Sequence, residues 1–184
     1  MIVPRAAISG DICVLLAGSQ PPSERTANFV RDLREAFGGE PVEPLHITAD
    51  RVDGVRSAEL IAAIHGSLPR LRPAPVRVDR LFFLPSQSRG PQILKLDVVP
   101  DLALEHDVGE LRAALRRCGF ASLHGDDRTM NVSTLQRVTH PVADPAPGWD
   151  LPLDLFVADL VLVSRITGAA SYEILDAATV VGSG

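Results

Sequence analysis

Cysteine is scarce in this chain, and its two thiols are far apart. Cys13 and Cys118 are the only cysteines in 184 residues. Such a pair provides neither the dense disulfide framework of a small secreted domain nor the closely spaced ligands of a structural zinc site. We therefore expect a reducing, cytoplasmic setting, with no metal ion and no other cofactor.

Long apolar runs are also missing. The opening segment MIVPRAAISGDICVLLAGS has an arginine before an apolar stretch, as a secretory signal does, but Asp11 interrupts that stretch. Nowhere do about 18 apolar residues follow one another, which is the length needed for a helix that crosses a bilayer. The sequence thus predicts no membrane span.

Positive charge is limited as well. Lysine and arginine together number 18 against 23 acidic residues, which gives a net charge of −5. Binding to duplex nucleic acid requires clustered basic side chains, so this balance argues against it and leaves a small nucleotide or an RNA end as the ligand. The motifs G-x-S-x-G, GxxxxGK[ST], H-E-x-x-H and GxGxxG are absent, so triad hydrolases, NTPases, zinc proteases and dinucleotide enzymes lack support.

Strand-like and helix-like segments alternate along the whole chain. Strands are predicted at Ile12 to Leu16 and within LHITADRV, VRVDRLFFL, QILKLDVV, TMNVSTLQRV, LDLFVADLVLVS and SYEILDAATVV. Helices are predicted after Ser23, after Ser57 and after Asp107, where Asp107 and Glu110 form a D-x-x-E cap pattern. Residues 86–91, 124–128 and 143–149 read as loops. No linker divides residues 1–184, so we expect a single α+β domain.

A histidine and a threonine stand two positions apart in the strand LHITADRV. Residues i and i+2 of a strand share a face, so His46 and Thr48 project together. An imidazole can move a proton, and a hydroxyl can donate a hydrogen bond to a phosphoryl oxygen. The same H-x-[S/T] pattern recurs at His65, but in a helical segment, where positions two apart diverge by about 200°. We therefore assign a role to His46 and none to His65.

The order of these elements resembles the 2H phosphoesterase superfamily, which includes bacterial 2'-5' RNA ligase-like proteins and cyclic nucleotide phosphodiesterases. The resemblance runs from DICVLLAG through LHITADRV, LFFL, QILKLDVV and the helix LRAALRRCGF to FVADLVLVS and SYEIL. It implies a bilobal fold with antiparallel or mixed sheets and flanking helices around a central cleft. Each lobe would contribute one H-x-[S/T] strand, with one histidine as general base and the other as general acid, without metal.

The second motif of the resemblance falls on Asn131-Val132-Ser133, where its histidine is missing. Asparagine has no titratable proton, so it can hold an oxygen but can neither activate water nor protonate a leaving alkoxide. Three alternatives follow. The chain is a slow or specialised hydrolase with one histidine, a binding protein that kept the cleft, or an active enzyme carrying an engineered His-to-Asn change.

Four further side chains are candidates for contact with a substrate. Arg165, at the end of an apolar strand, can pair with a phosphate. Phe83, or its neighbour Phe82, can stack on a base. Tyr172 falls where the resemblance places a cleft residue, and His124 lies in a polar loop that can approach the second motif. His140 is a weaker alternative to His124, and His106 is read as preceding the third helix.

These observations predict a 2H phosphoesterase-like protein that acts on a small 2',3'-cyclic phosphate or a 2'-5' phosphodiester. His46 would transfer protons, Thr48 and Ser133 would hydrogen-bond the phosphate, and Asn131 would serve as a neutral partner. The alternative is a nucleotide-binding or cyclic-phosphate-binding module without turnover. A third possibility is an interaction protein that uses the fold only as a scaffold. We expect a monomer that binds a small nucleotide or an RNA terminus, and neither duplex nucleic acid nor a membrane.

Overall fold

A computed structural model describes residues 5–85, 92–124, 129–142, 148–168 and 171–181. Its α-helices are α1 (Glu24–Phe37), α2 (Ser57–Ser67) and α3 (Leu102–Arg117). Its strands are β1 (Ile12–Ala17), β2 (Glu40–Pro41), β3 (His46–Val52), β4 (Ala74–Val76), β5 (Val78–Pro85), β6 (Gln92–Val98), β7 (Asn131–Gln136), β8 (Phe156–Ala158), β9 (Leu160–Gly168) and β10 (Ser171–Thr179). The predicted loop 86–91 and most of the two later ones lie outside the described residues.

Eight of these strands form one antiparallel sheet in the order β10-β9-β1-β3-β7-β6-β5, with β2 added beside β7. The short strands β4 and β8 form a second, two-stranded antiparallel sheet. Since β3 and β7 are adjacent at the centre, the halves of the chain that carry the two motifs meet there. The predicted α+β fold with antiparallel sheets is confirmed.

The two faces of the large sheet are packed differently. One face lies under the three helices and carries the main core, which includes Leu16, Ile47, Val132 and Leu96. The other face carries a much smaller apolar cluster formed by Cys13, Leu15, Ala17, Leu162 and Ile166. We call this second side the motif face, because His46 and Thr48 project from it. Burial of the first face supplies most of the apolar stabilisation, which leaves the motif face available for polar side chains.

Side chains cap the starts of α1 and α3, and the starts of α2 and α3 differ from the sequence prediction. Ser23 caps α1 as predicted, since its side chain accepts a hydrogen bond from the backbone N–H of Thr26. In α2, Ser57 is the first helical residue and Arg56 occupies the cap position. Helix α3 begins five residues earlier than its predicted cap, because the Asp101 carboxylate accepts from the N–H groups of Ala103 and Leu104.

Asp107 has a tertiary role in place of the predicted capping role. It is 1% exposed inside α3, and its carboxylate accepts hydrogen bonds from the backbone N–H of Arg72 at 3.1 and 3.3 Å. Burial raises the pKa of Asp107 above its usual range, although the Arg72 hydrogen bond opposes that shift. The carboxyl therefore ties the segment that follows α2 to α3, and its burial disfavours the charged form. His106, which was expected to precede the helix, lies within α3.

The Asp107→Asn variant is expected to gain stability relative to the native chain as the pH rises. A carboxyl whose folded pKa is raised contributes stability below its ordinary pKa, and that contribution is lost as the pH rises through the folded value. Asparagine keeps an oxygen for the Arg72 N–H and has no such loss. Thermal unfolding between pH of about 4 and 7 measures this, with Glu35→Gln on the exposed side of α1 as the control. A pH-independent difference between Asp107→Asn and the native chain would contradict the assignment.

Candidate active site

The two motif strands are hydrogen-bonded neighbours, and their register brings both motifs together. Ile47 of β3 pairs with Val132 of β7 in antiparallel orientation. Residues on either side of an antiparallel pair face each other in reverse order, so His46 lies opposite Ser133, and Thr48 lies opposite Asn131. Because Ile47 and Val132 point into the main core, these four flanking side chains all project from the motif face.

The four motif side chains are partly enclosed. His46 is 5% exposed and Ser133 7% exposed, whereas Thr48 and Asn131 are half-buried. Across β1, Ala17 pairs with His46 and Leu15 pairs with Thr48, so the apolar cluster of the motif face borders the motifs directly. A ligand held here would lose part of its water shell, which strengthens hydrogen bonds and charge interactions.

The imidazole of His46 is oriented by the chain just before it. Its Nδ1 lies 2.7 Å from the carbonyl oxygen of Pro44. A carbonyl only accepts hydrogen bonds, so Nδ1 donates, and in the neutral ring Nε2 is then the basic nitrogen. A histidine held in this tautomer can accept a proton through Nε2, as a general base must.

The amide of Asn131 is held from two sides. The Lys95 ammonium donates to its Oδ1 at 2.7 Å, and its Nδ2 donates to the carbonyl oxygen of Thr129 at 3.2 Å. Lys95 lies on β6 directly opposite Ser133. Lys95 is not among the residues that the sequence predicted for the site, although a lysine in the otherwise mostly apolar run QILKLDVV, two positions before Asp97, was a signal that could have identified it.

The motif face continues across β5. Phe82 pairs with Lys95, and Arg80 pairs with Asp97, whose carboxylate accepts from the Arg80 Nε at 2.8 Å. The guanidinium carbon of Arg80 lies 5.6 Å from the centre of the Phe82 ring. This ion pair and the aromatic ring form the side of the face beyond Lys95.

Phe83 was the preferred stacking candidate, and the structure does not bring it to the motif face. It pairs with Leu94 and packs against the main core, with its ring 5.2 Å from that of Phe37 in an edge-to-face contact. Neighbouring positions of a strand point to opposite faces, so Phe82 and not Phe83 lies on the motif face. Phe82 is half-buried there.

Arg165 and Tyr172 lie away from the motifs. Arg165 pairs with Ile12 across β1, on the helix-covered side of the sheet, and its guanidinium meets the Glu173 carboxylate at 3.3 Å. The expected phosphate contact of Arg165 therefore does not fit its position. Tyr172 packs against the apolar cluster of the motif face, but it pairs with Ile166, near the end of β9 that is remote from His46.

The other histidines lie outside the two motif strands. His124 is half-buried, and its backbone N–H donates to Ser122 Oγ at 3.3 Å beside the end of β3 that is remote from His46. His65 lies on α2 and meets the Asp176 carboxylate at 2.8 Å. His140 is exposed, and its backbone N–H donates to the carbonyl oxygen of Phe37 at the end of α1. The structure thus groups His46, Thr48, Asn131 and Ser133 on the motif face, while His65 and His140 lie elsewhere.

The end of the motif face remote from His46 is closed by a buried arginine. Arg51 is 4% exposed, its Nε lies 3.6 Å from the Asp11 carboxylate, and it also donates to the backbone oxygen of Leu123. Burial lowers the pKa of the Arg51 guanidinium from its usual range, and Asp11 opposes that shift. This arginine therefore serves to anchor the segment before His124. Among the described residues, no group of three or more His, Cys, Asp or Glu side chains is arranged to hold a metal ion.

Comparisons with known proteins identify the fold. No family model matches the chain, and no curated protein matches its sequence. Among solved structures, Escherichia coli LigT with NADP+ has a TM-score of 0.62 at 18% identity, covering 94% of this chain and 99% of that one. TT0787 of Thermus thermophilus has a TM-score of 0.62 at 18% identity, with 95% and 100% covered.

A third structure, Kluyveromyces marxianus Usb1 with uridine monophosphate, has a TM-score of 0.57 at 11% identity, with 90% and 98% covered. Each of these three likenesses extends over nearly the whole of this chain and of the other one. The fold that the sequence resemblance implied is therefore confirmed over that length. No helix in the described part of the chain is long and apolar enough to cross a membrane.

Proposed function

We propose that this chain, which has the fold of the 2H phosphoesterases, binds small nucleotide phosphoesters on its motif face. We further propose that it hydrolyses a 2',3'-cyclic phosphate or a 2'-5' phosphodiester by acid/base chemistry. The observation that carries this proposal is the common face of His46, Thr48, Asn131 and Ser133 on two paired strands. The whole chain would act as one bilobal, monomeric unit, and each half would supply one motif strand.

The chemistry of each motif residue follows from its side chain. The hydrogen bond from Nδ1 of His46 to Pro44 leaves Nε2 as the basic nitrogen, so His46 would take the proton of an attacking water. The hydroxyls of Thr48 and Ser133 would donate to phosphoryl oxygens and stabilise charge as it builds up. Asn131 has no proton to transfer and would act as a hydrogen-bonding partner.

The ligands of the structural neighbours support a nucleotide as the bound molecule. LigT structures contain NADP+ or 3'-AMP, and the Usb1 structure contains uridine monophosphate. These molecules share a phosphate attached to a ribose. A site that offers two hydroxyls, an amide and a nearby ammonium is chemically suited to that group.

A second candidate function is binding without turnover, and Asn131 is the observation that favours it. An enzyme that loses one proton-transfer group typically loses about 10²–10⁴ in rate. Such a loss would leave a protein that captures a cyclic or 2'-5'-linked phosphate and releases it unchanged.

Incubation with 2',3'-cyclic AMP and with 2'-5'-linked diadenosine tests both functions. We expect chromatography to show an adenosine monophosphate product, and calorimetry to show saturable binding. A 3'-5'-linked dinucleotide is the matched control, because it offers the same bases and charge with a different linkage. Saturable binding without product would select the binding module, and the absence of both product and binding would reject both candidates.

A further inference from the structure

Lys95 is the only lysine in the chain, and it lies beside the degenerate motif. The sequence contains 18 lysines and arginines, of which all but Lys95 are arginines. On β6 it pairs with Ser133 on one side and with Phe82 on the other. Since Ser133 in turn lies opposite His46, the three strands carry His46, Ser133 and Lys95 in one row across the motif face.

The surroundings of Lys95 direct its ammonium toward the second motif. Its Nζ donates to Asn131 Oδ1 at 2.7 Å, and the side chain is half-buried. The carboxylate on the same face of β6 is that of Asp97, which Arg80 of β5 engages at 2.8 Å. Asp97 and Arg80 thus lie at one side of Lys95, and His46 lies along the row.

We propose that Lys95 is the general acid of this site and replaces the histidine that the second motif lacks. This inference rests on the hydrolysis proposed above. Water attacks phosphorus while His46 Nε2 takes its proton, and a P–O bond to the ribose oxygen breaks. That oxygen takes a proton from the Lys95 ammonium, which becomes a neutral amine, while His46 becomes an imidazolium. Solvent then returns a proton to Lys95 and removes one from His46, so atoms and charge balance.

The acid role is supported by the presence of a lysine, and not an arginine, at this position. Guanidinium groups do not lose their proton in proteins, whereas an ammonium can. Arginine would make a purely electrostatic contact with phosphate equally well. Apart from Lys95, all of the 18 lysine and arginine positions in this chain are arginines. The one position at which the chain has a lysine in place of an arginine is the one hydrogen-bonded to Asn131.

The test compares Lys95→Arg and Lys95→Met on two substrates. On the 2'-5' dinucleotide, whose leaving alkoxide needs a proton, both variants are expected to lose about 10²-fold or more in kcat. On thymidine 3'-(p-nitrophenyl phosphate), whose leaving phenolate needs no added proton, Lys95→Arg is expected to stay within about threefold of the native chain. Arg31→Met on α1 controls for the loss of one positive charge.

The outcomes separate this proposal from the hydrolase proposal. If Lys95→Arg hydrolyses the dinucleotide as fast as the native chain, only charge is needed and the acid role is overturned. Equal losses on both substrates would also overturn it, because a defect in folding or binding affects both. Thermal unfolding of each variant, with the native melting temperature expected, identifies a folding defect. If the native chain binds both substrates but hydrolyses neither, the hydrolase proposal is overturned, and the general-acid role of Lys95 is overturned with it.

Discussion

The His46→Gln variant is expected to lose about 10²–10⁴-fold in kcat on whichever phosphodiester the native chain hydrolyses. Glutamine is close in size and keeps a hydrogen-bonding group, but it cannot accept a proton from water. His46 lies in the row that contains Ser133 and Lys95, and its Nδ1 donates to Pro44. Since substrate binding depends on other donors as well, KM should change much less than kcat. Steady-state kinetics on the purified variant measures both values.

His65→Gln is the matched control for this experiment. His65 belongs to the same H-x-[S/T] pattern but lies on α2, where it meets Asp176. Its replacement is expected to leave kcat within about twofold, because it touches none of the motif residues. A His46→Gln enzyme with native kcat would remove His46 from the reaction. An equal loss in both variants would indicate that the assay reports stability and not chemistry.

The Asn131→His variant is expected to gain about 10²-fold in kcat. An imidazolium ordinarily titrates near about 6.5 and a lysine ammonium near about 10.4, so the introduced group is the stronger acid. Position 131 lies opposite Thr48 and within hydrogen-bond reach of Lys95, so the new ring would face the same ligand. The rate should then fall above pH of about 7, which gives a bell-shaped profile, as expected for a pair of histidines.

Two comparisons decide how the gain arises. Asn28→His on α1 introduces the same side chain away from the motif face and should leave the rate unchanged. In a Lys95→Met background, Asn131→His should restore most of the lost activity, because the imidazolium supplies both charge and proton. If Asn131→His gives no gain in either background, position 131 does not face the leaving oxygen.

Much of the fold could be predicted because the information is local. The buried strand β1 and the helix α1 follow from an apolar run, an apolar period and the cap at Ser23. The start of α3 could not be read in the same way, since Asp101 and Asp107 are both plausible caps. The choice depends on the Arg72 backbone, which is 35 positions away and engages Asp107.

Within the candidate site, the sequence predicts only which residues of a single strand share a face. Alternation within β3 is enough to place His46 and Thr48 on one side, and alternation within β7 does the same for Asn131 and Ser133. Which side of another strand faces them depends on register, and β9 is buried on both faces. The sequence could therefore not show that Arg165 lies on the helix-covered side of the sheet, nor that Phe82 and not Phe83 lies on the motif face.

The single lysine makes this protein unusually simple for amine chemistry. Acylating reagents, formaldehyde and enzymes that attach ubiquitin or acetyl groups to lysine all use a side-chain amine, and here that amine can only be Lys95. A dye coupled to this side chain would therefore mark the motif face. The rate of coupling would report whether a phosphate occupies that face, and immobilisation through the lysine side chain would orient the protein with this face toward the support.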